Sequence, residues 1–352
     1  MFEELLTSTD EWFLKAGPLD EVVVSSRVRL ARNLDGMKFP HHASALEQKE
    51  VVERLEKGLG RFPQVENFRF IRLNEIASLD RQFLTEHQLM SMEHAASLGE
   101  RAVAFDVREG LSFLINEEDH LRLQIFRPGL NLREAYRALK KADELLGVDL
   151  TYAKQERWGY LTACPTNLGT ALRAGVMLHL PALVYANRIA QVLQGVTQVG
   201  LVVRGLQGET TQISSPFFQI SNQSSLGKKG SEIVEHVDRV ARQMIEMEGQ
   251  TQKALFQQEG LKIKDRICRA LGSLKNAQLL PIEEALNGLS ALRVGVSQKI
   301  LTGLDLPNLN QLLILIQPAH LAKIAARELR PEDELQERAK LLRSVLKPVE
   351  VV

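Results

Sequence analysis

Cys164-Pro165-Thr166-Asn167-Leu168-Gly169-Thr170, with Arg173 close behind, puts a thiol, short hydroxyls and a guanidinium into one short stretch of chain. Pro165 fixes its φ and Gly169 frees its own, so the stretch reads as a sharp loop. A thiol beside cations ionises more easily than a free one, which would make Cys164 an anionic contact. Taken alone, Cys-Pro-Thr-Asn reads equally as a tight turn with an inert, half-buried cysteine. Arg27 and Arg29 give a second signal: they lie two apart in a strand pattern and so share a face. Their charges repel unless an anion lies between them, and phosphate suits the guanidinium fork. A solvated edge strand is the plain alternative. The third signal is Asn116-Glu117-Glu118-Asp119-His120, three acids in a row at a turn, a pattern that is ordinarily just solvated.

Composition narrows what these groups can serve. A chain of 352 residues buries a sizeable core and has room for two domains. Hydrophobic residues make up 44% and charged ones 25%, as in an ordinary soluble globular protein. A formal net charge of zero argues against direct nucleic-acid binding through overall charge. The 2 cysteines, Cys164 and Cys268, form neither a disulfide framework nor a metal cluster, which suits a reducing cytoplasm. No apolar run approaches a membrane span, and the acidic start of the chain is unlike a secretory signal. Arginine outnumbers lysine, a hint of polyanion chemistry.

The elements that must position these residues follow from periodicity. Val22–Arg29 reads as a strand, Ala45–Leu59 as an amphipathic helix, Phe68–Leu73 as a strand and Asp80–Met92 as a helix carrying His87. Arg101–Arg108, Leu111–Asn116 and Leu121–Phe126 read as an antiparallel meander, punctuated by Gly110 and by the acidic turn. Asn131–Leu146 is an amphipathic helix stopped by Gly147. Trp158–Ala163 leads into the cysteine loop, and Ala174–Leu180 leaves it as a buried strand. Pro181–Leu193 reads as a helix, Val199–Val203 as a strand ending in Arg204-Gly205-Leu206-Gln207-Gly208-Glu209. From Ser231 the pattern turns helical, with breaks expected at Gly260 and Gly272 among others and no convincing strand beyond residue 252. The fold class is therefore α+β: a catalytic domain over 1–252 with a largely antiparallel sheet flanked by helices, then an all-α domain over 253–352.

The heptapeptide from Cys164 with Arg173 resembles the signature loop of the phosphagen (guanidino) kinases. Ser25-Ser26-Arg27-Val28-Arg29-Leu30-Ala31-Arg32-Asn33 resembles that family's first nucleotide-binding segment, and Asn116–Arg122 resembles its acidic loop. The resemblance implies that ATP, with Mg²⁺, is the cofactor. It places phosphate contacts on Arg27, Arg29, Arg122, Arg173 and Arg204, and lets His87 lie against the adenine. It extends the nucleotide site over Ala174, Gly175, Val176 and Met177, and over the mobile loop Gly205, Leu206, Gln207 and Gly208. Glu118, Glu209 and Cys164 then hold and align the acceptor guanidine. No dedicated protein metal site is expected, since the metal would ride on phosphates and water.

The chain carries neither a P-loop nor the His-Arg-Asp and Asp-Phe-Gly motifs of ordinary protein kinases. A guanidinium is nearly always protonated and a poor nucleophile, so its acceptor chemistry needs carboxylates that orient it and take a proton. Phosphagen kinases carry a long helical N-terminal domain around a small free metabolite; here about 20 residues precede the arginine strand, a helical region follows, and Gln219 stands where an acid is usual. In this the chain resembles the bacterial protein-arginine kinases. That implies phosphorylation of arginine side chains in proteins, a role in the stress response and in marking proteins for a Clp-type protease, a zinc-binding activator, a heat-shock repressor as target, and a homodimer through the helical domain. A kinase for free arginine or another small guanidine, and a non-enzymatic scaffold, are the competing readings. The same branch carries an Arg-Asp-x-x-Arg-Ala motif that binds phosphoarginine. Here the stretch is Glu334-Leu335-Gln336-Glu337-Arg338-Ala339, and a weak or absent pocket is expected.

Overall fold

The computed structural model describes residues 5–6, 11–62, 67–106, 108, 110–205 and 215–352. Strand β1 (Val23–Arg32) is followed by helix α1 (Ala45–Leu59), which Ser44 and Glu47 cap reciprocally. Next come β2 (Arg69–Arg72), α2 (Ser78–Glu86) and α3 (Met92–Ala96). The meander β3 (Ala102–Asp106), β4 (Leu111–Ile115) and β5 (Leu121–Pro128) leads to α4 (Leu132–Gly147). Two short strands, β6 (Lys154–Gln155) and β7 (Gly159–Tyr160), precede the cysteine loop, and β8 (Leu172–His179) follows it. Helices α5 (Pro181–Tyr185) and α6 (Ile189–Gln198) then give way to β9 (Leu201–Gly205) and β10 (Phe217–Asn222).

Among the described residues the main sheet has 8 strands in the order β2-β3-β4-β5-β1-β8-β10-β9. Every pairing in it is antiparallel, so β1 sits at the centre with β5 on one side and β8 on the other. One face carries Val28, Leu30, Leu123, Ala174 and Val176, packed under α1, α4 and the first half of the long helix α7 (Gly230–Asn276). The other face is covered at the β2–β3–β4 end, where Ile71, Val103, Phe105 and Leu114 meet Phe83 and Leu84 of α2, and at Phe126 of β5, which packs with Trp12, Phe13 and Ile314. Over β5, β1 and β8 that second face carries Arg122, Gln124, Arg27, Arg29 and Arg173 beside Phe126 and Met177.

Beyond α7 come α8 (Ile282–Ser297), β11 (Leu301–Thr302), α9 (Leu306–Leu315), α10 (Pro318–Ile324), α11 (Pro331–Leu346) and β12 (Glu350–Val351). They build a second core around Leu271, Leu286, Leu289, Leu292, Leu312 and Leu342. The short ladder of β11 with β12 adds two strands to an otherwise helical region. The break expected at Gly260 is present one residue earlier: Glu259 leaves helical geometry (φ −133°, ψ 25°) and kinks α7 into two helical segments, while the break expected at Gly272 is absent. The expected helix Asp80–Met92 ends early because Gln88 takes a left-handed φ of 64°. Asn187, at φ 54°, likewise divides Pro181–Leu193 into α5 and α6. No helix among the described residues is long and apolar enough to cross a membrane.

The two cores are joined by buried polar seams. Glu86 of α2 accepts the Ala319 and His320 amides at the start of α10 and faces the His320 ring at 3.0 Å. His179, at the end of β8, meets Ser290 of α8 at 2.7 Å. Arg293 donates to Asn310 at 2.7 Å and to the Asp20 carbonyl.

Candidate active site

Strand alternation decides which nucleotide-segment residues face the open side of the sheet. Arg27 and Arg29 do, and register places Gly175 beside Arg27 and Arg173 directly opposite Arg29. On the other flank Phe126 faces Arg27 and Gln124 faces Arg29, with Arg122 one step further along the same face. Ser25 and Met177 pair across the ladder on this face as well. Ser26, Val28, Ala174 and Val176 point their side chains the other way, leaving their backbone for the open face. The Ser26 hydroxyl donates to the Gly129 carbonyl at 2.8 Å and accepts the Asn131 amide at 2.9 Å, while the other three fill the core.

The guanidinium groups crowd one another. Burial first, then repulsion by Arg122, lowers Arg27 to about 9. Burial, then Arg27, Arg122 and Arg173, holds Arg29 well below the ordinary guanidinium range. Arg173 is lowered by burial, then by Arg204 and Arg122. Arg27 donates to Gln124 and lies over the Phe126 ring at 5.0 Å, yet its buried Nε has no partner. Arg29 forms no hydrogen bond or ion pair among the described residues. Among the described residues Arg173 reaches only the Ser221 hydroxyl, at 3.3 Å. Arg204 is exposed at the sheet edge, opposite Gln219. Convergent, underpaired arginines fit a polyphosphate, which would supply the missing countercharge.

The acidic turn is a built structure, not a solvated run. Asn116 takes a left-handed φ of 59°, and its amide donates to the Gln48 and Glu100 carbonyls. Glu117 is buried and binds Arg122 at 2.7 Å, with Ser91 donating to the same carboxylate. Glu118 is the outward member, its side chain 42% exposed and 3.4 Å from Arg122. Burial, then Asp119, raises its carboxyl above the usual range. Asp119 is buried and accepts the Ala163 amide at 2.7 Å, one residue before Cys164. His120 accepts the Leu34 amide and meets the Lys38 carbonyl at 2.8 Å.

The cysteine loop closes by glycine contact. A Cβ on Gly159 (φ 71°) would meet the Gly169 carbonyl oxygen at 2.4 Å, and one on Gly169 (φ 103°) would meet the Ser225 carbonyl at 2.7 Å. The Cys164 sulfur lies 3.0 Å from the Thr166 hydroxyl and is partly exposed. The structure thus brings Glu118, Cys164, Arg122 and the arginine face together. Gly205 ends β9, opposite Phe218. Leu206, Gln207, Gly208 and Glu209 lie outside the described residues.

The His87 ring is 3% exposed, with one nitrogen 2.9 Å from Glu11 and the other 3.0 Å from His320. The early end of α2 turns the ring into the seam with α10. The sequence reading passed over Gln124 and Ser221, and placed Asn33 in the nucleotide segment without giving it a role of its own. Period two along β1 puts Asn33 on the parity of Arg27 and Arg29, which was the available signal.

A central antiparallel sheet bearing an arginine-lined face beside an acidic turn and a cysteine loop defines an ATP:guanido phosphotransferase. Residues 50–251 match the family described as ATP:guanido phosphotransferase, C-terminal catalytic domain. Residues 260–351 match the Protein-arginine kinase McsB C-terminal domain. A lombricine kinase structure aligns with a TM-score of 0.59 at 24% identity, over 68% of this chain and 72% of that one, which shows the shared fold. A protein-arginine kinase of Symbiobacterium thermophilum is 41% identical over 98% of this chain and 99% of its own length. One of Bacillus subtilis is 38% identical over 95% and 93%. The chain belongs to the protein-arginine kinase family.

Proposed function

We infer that the protein transfers the γ-phosphoryl group of ATP to arginine side chains of proteins. The observation that carries this is the underpaired arginine face ending at Glu118 and Cys164. Arg27, Arg29, Arg122, Arg173 and Arg204 would hold the phosphates, with Mg²⁺ carried on the nucleotide and neutralising charge in the transfer. Glu118, with Glu209, would bind the substrate guanidinium, turn one nitrogen toward the γ-phosphorus and accept its proton. The nitrogen lone pair forms the P–N bond while the bond to the β,γ-bridging oxygen breaks and its electrons leave with ADP. Cys164 adds a contact for alignment and takes no covalent part. Near-full-length similarity to proteins named protein-arginine kinase supports a protein substrate over free arginine.

The finer setting is a proposal on the same footing: a bacterial cytoplasm, a stress-response role, a zinc-binding activator, a heat-shock repressor among the targets, delivery to a Clp ATPase and homodimerisation through the helical region. Incubation with MgATP and either free arginine or a denatured arginine-rich protein tests the central reading. Mass spectrometry is expected to find acid-labile phosphate on arginine in the polypeptide. Transfer to free arginine alone, or acid-stable label on serine or tyrosine alone, would overturn it.

A further inference from the structure

The acidic turn and the cysteine loop come from distant parts of the chain, and one side chain touches both. Asn33 lies just past the end of β1 and is 1% exposed. Its Nδ2 donates to the Asp119 carboxylate at 2.6 Å and to the Leu161 carbonyl at 3.0 Å. Its Oδ1 accepts the His120 amide at 2.9 Å. The Asp119 oxygen that Asn33 binds is the one that accepts the Ala163 amide at 2.7 Å. Asn33's own carbonyl accepts the Ala153 amide at 2.7 Å, which anchors it from below.

Asn33 therefore grips the turn at 119 and 120, next to Glu118, and the lead-in at 161, shortly before Cys164. It does so from the strand that carries Arg27 and Arg29. We propose that Asn33 is a positioning residue for phosphoryl transfer, setting Glu118 and Cys164 in register with the phosphate-binding arginines. It touches neither substrate nor nucleotide. This rests on the function inferred above. A carboxamide is suited to the task because it offers a donor and an acceptor on one rigid plane. A buried aspartate there would place two carboxylates together, and a buried alanine would strand the Asp119, Leu161 and His120 groups.

The test compares Asn33→Asp and Asn33→Ala with the full-length protein. ADP release, nucleotide affinity and the rate of Cys164 alkylation are followed across pH. Misplacement of reacting groups by an ångström lowers turnover by about 10²-fold, and a loss of that order in kcat is expected for both variants with KM for ATP nearly unchanged. Cys164 alkylation should become several-fold faster, because the loop is released. In Asn33→Asp a proton shared with Asp119 rebuilds the donor, so its kcat relative to the parent protein should rise as pH falls. Asn33→Ala should show no such recovery.

A purely structural role would lower thermal stability and the active fraction without adding an ionisation to the kcat profile; that pattern would overturn the proposal. So would near-parent kcat in both variants. Should Asn33→Asp fail to fold, kcat and alkylation of Asn33→Ala decide. If the parent protein itself fails to phosphorylate arginine, the inferred function falls, while the alkylation rates still report whether Asn33 holds the two loops.

Discussion

Arg29 and Arg173 face each other directly across the β1–β8 ladder, two guanidinium groups in register that form no ion pair among the described residues. Like charges opposite one another in a sheet destabilise it, and here burial adds to the penalty, as the lowered values of both groups show. A polyphosphate bound over the pair, as proposed above, would relieve this repulsion.

Substituting Arg29→Gln should therefore act in opposite directions on the free and the nucleotide-bound protein. Without nucleotide the melting temperature is expected to stay level or rise, since a desolvated charge and its repulsion are removed. ATP affinity should fall by about tenfold or more, the loss of a charge-assisted bond. Calorimetric titration and thermal melts check both halves. A variant that melts lower and binds ATP as before would contradict the role.

Glu118 should set an acid limb on activity. Burial, then Asp119, raises its carboxyl, and the ionised form is the one that binds the guanidinium and takes its proton. Activity is thus lost as pH falls through a value above the usual carboxylate range. Glu118→Gln should remove that limb and lower kcat by about 10²–10⁴-fold, with nucleotide affinity little changed. Glu209→Ala is expected to lower kcat by a similar factor. Near-normal turnover in either variant would remove that residue from the acceptor site.

Much of this was legible in the sequence because alternation and loop chemistry are local. The same-face placement of Arg27 and Arg29, the meander from residue 102 to 128, and the sharp Cys164–Gly169 loop follow from period two and from proline and glycine. The opposition of Arg29 and Arg173 was not legible, since it depends on the register between β1 and β8. Nor was the inward turn of Glu117 with Glu118 left outside, which Ser91 and Arg122 decide from other elements. The surroundings of His87 were hidden for the same reason: a histidine within a helical pattern does not reveal that the helix ends one residue earlier and that α10 waits with His320.

Glu248 should give the fold a pH-dependent stability that its sequence position does not advertise. It is 1% exposed in α7 and accepts the Ala182 and Leu183 amides at 2.8 and 3.0 Å. Burial raises its carboxyl to about 7, those two amides opposing the shift. The folded value lies above the unfolded one. Its contribution is therefore most favourable below the unfolded value and is lost as pH rises through about 7. Unfolding free energy should drop by about 1 kcal/mol between roughly pH 6 and pH 8 from this group. Denaturant titrations of Glu248→Gln should lack that component of the slope. An unchanged slope would show that Glu248 titrates normally.

Arg338 concerns the helical region, where the family's phosphoarginine motif is altered. The side chain is 2% exposed on α11, and its guanidinium is already committed: Nε donates to the Ile316 carbonyl at 2.8 Å and Nη1 to the Leu280 carbonyl at 3.0 Å. Glu334, where the family has arginine, lies 3.8 Å from its Nη2 and would repel a phosphate. The neighbouring cations are engaged as well. Arg327 meets Asp333 and Glu337 at 3.5 Å, Arg330 meets Asp333 at 3.1 Å, and Arg343 donates to the Ala277 carbonyl. With Leu335 unable to accept from a guanidino nitrogen, neither half of a phosphoarginine has its partner. Arg338 here serves the packing of α11 against the turns at 280 and 316. Arg338→Ala should accordingly lower stability by about 3 kcal/mol, the order expected when a buried charge and its acceptors lose their bonds. Calorimetric titration of the parent protein with a phosphoarginine peptide should show weak or no binding outside the active site, measured with Cys164 blocked and ATP saturating. Tight binding that Arg338→Lys abolishes would mean that the pocket survives the loss of the Arg-Asp pair.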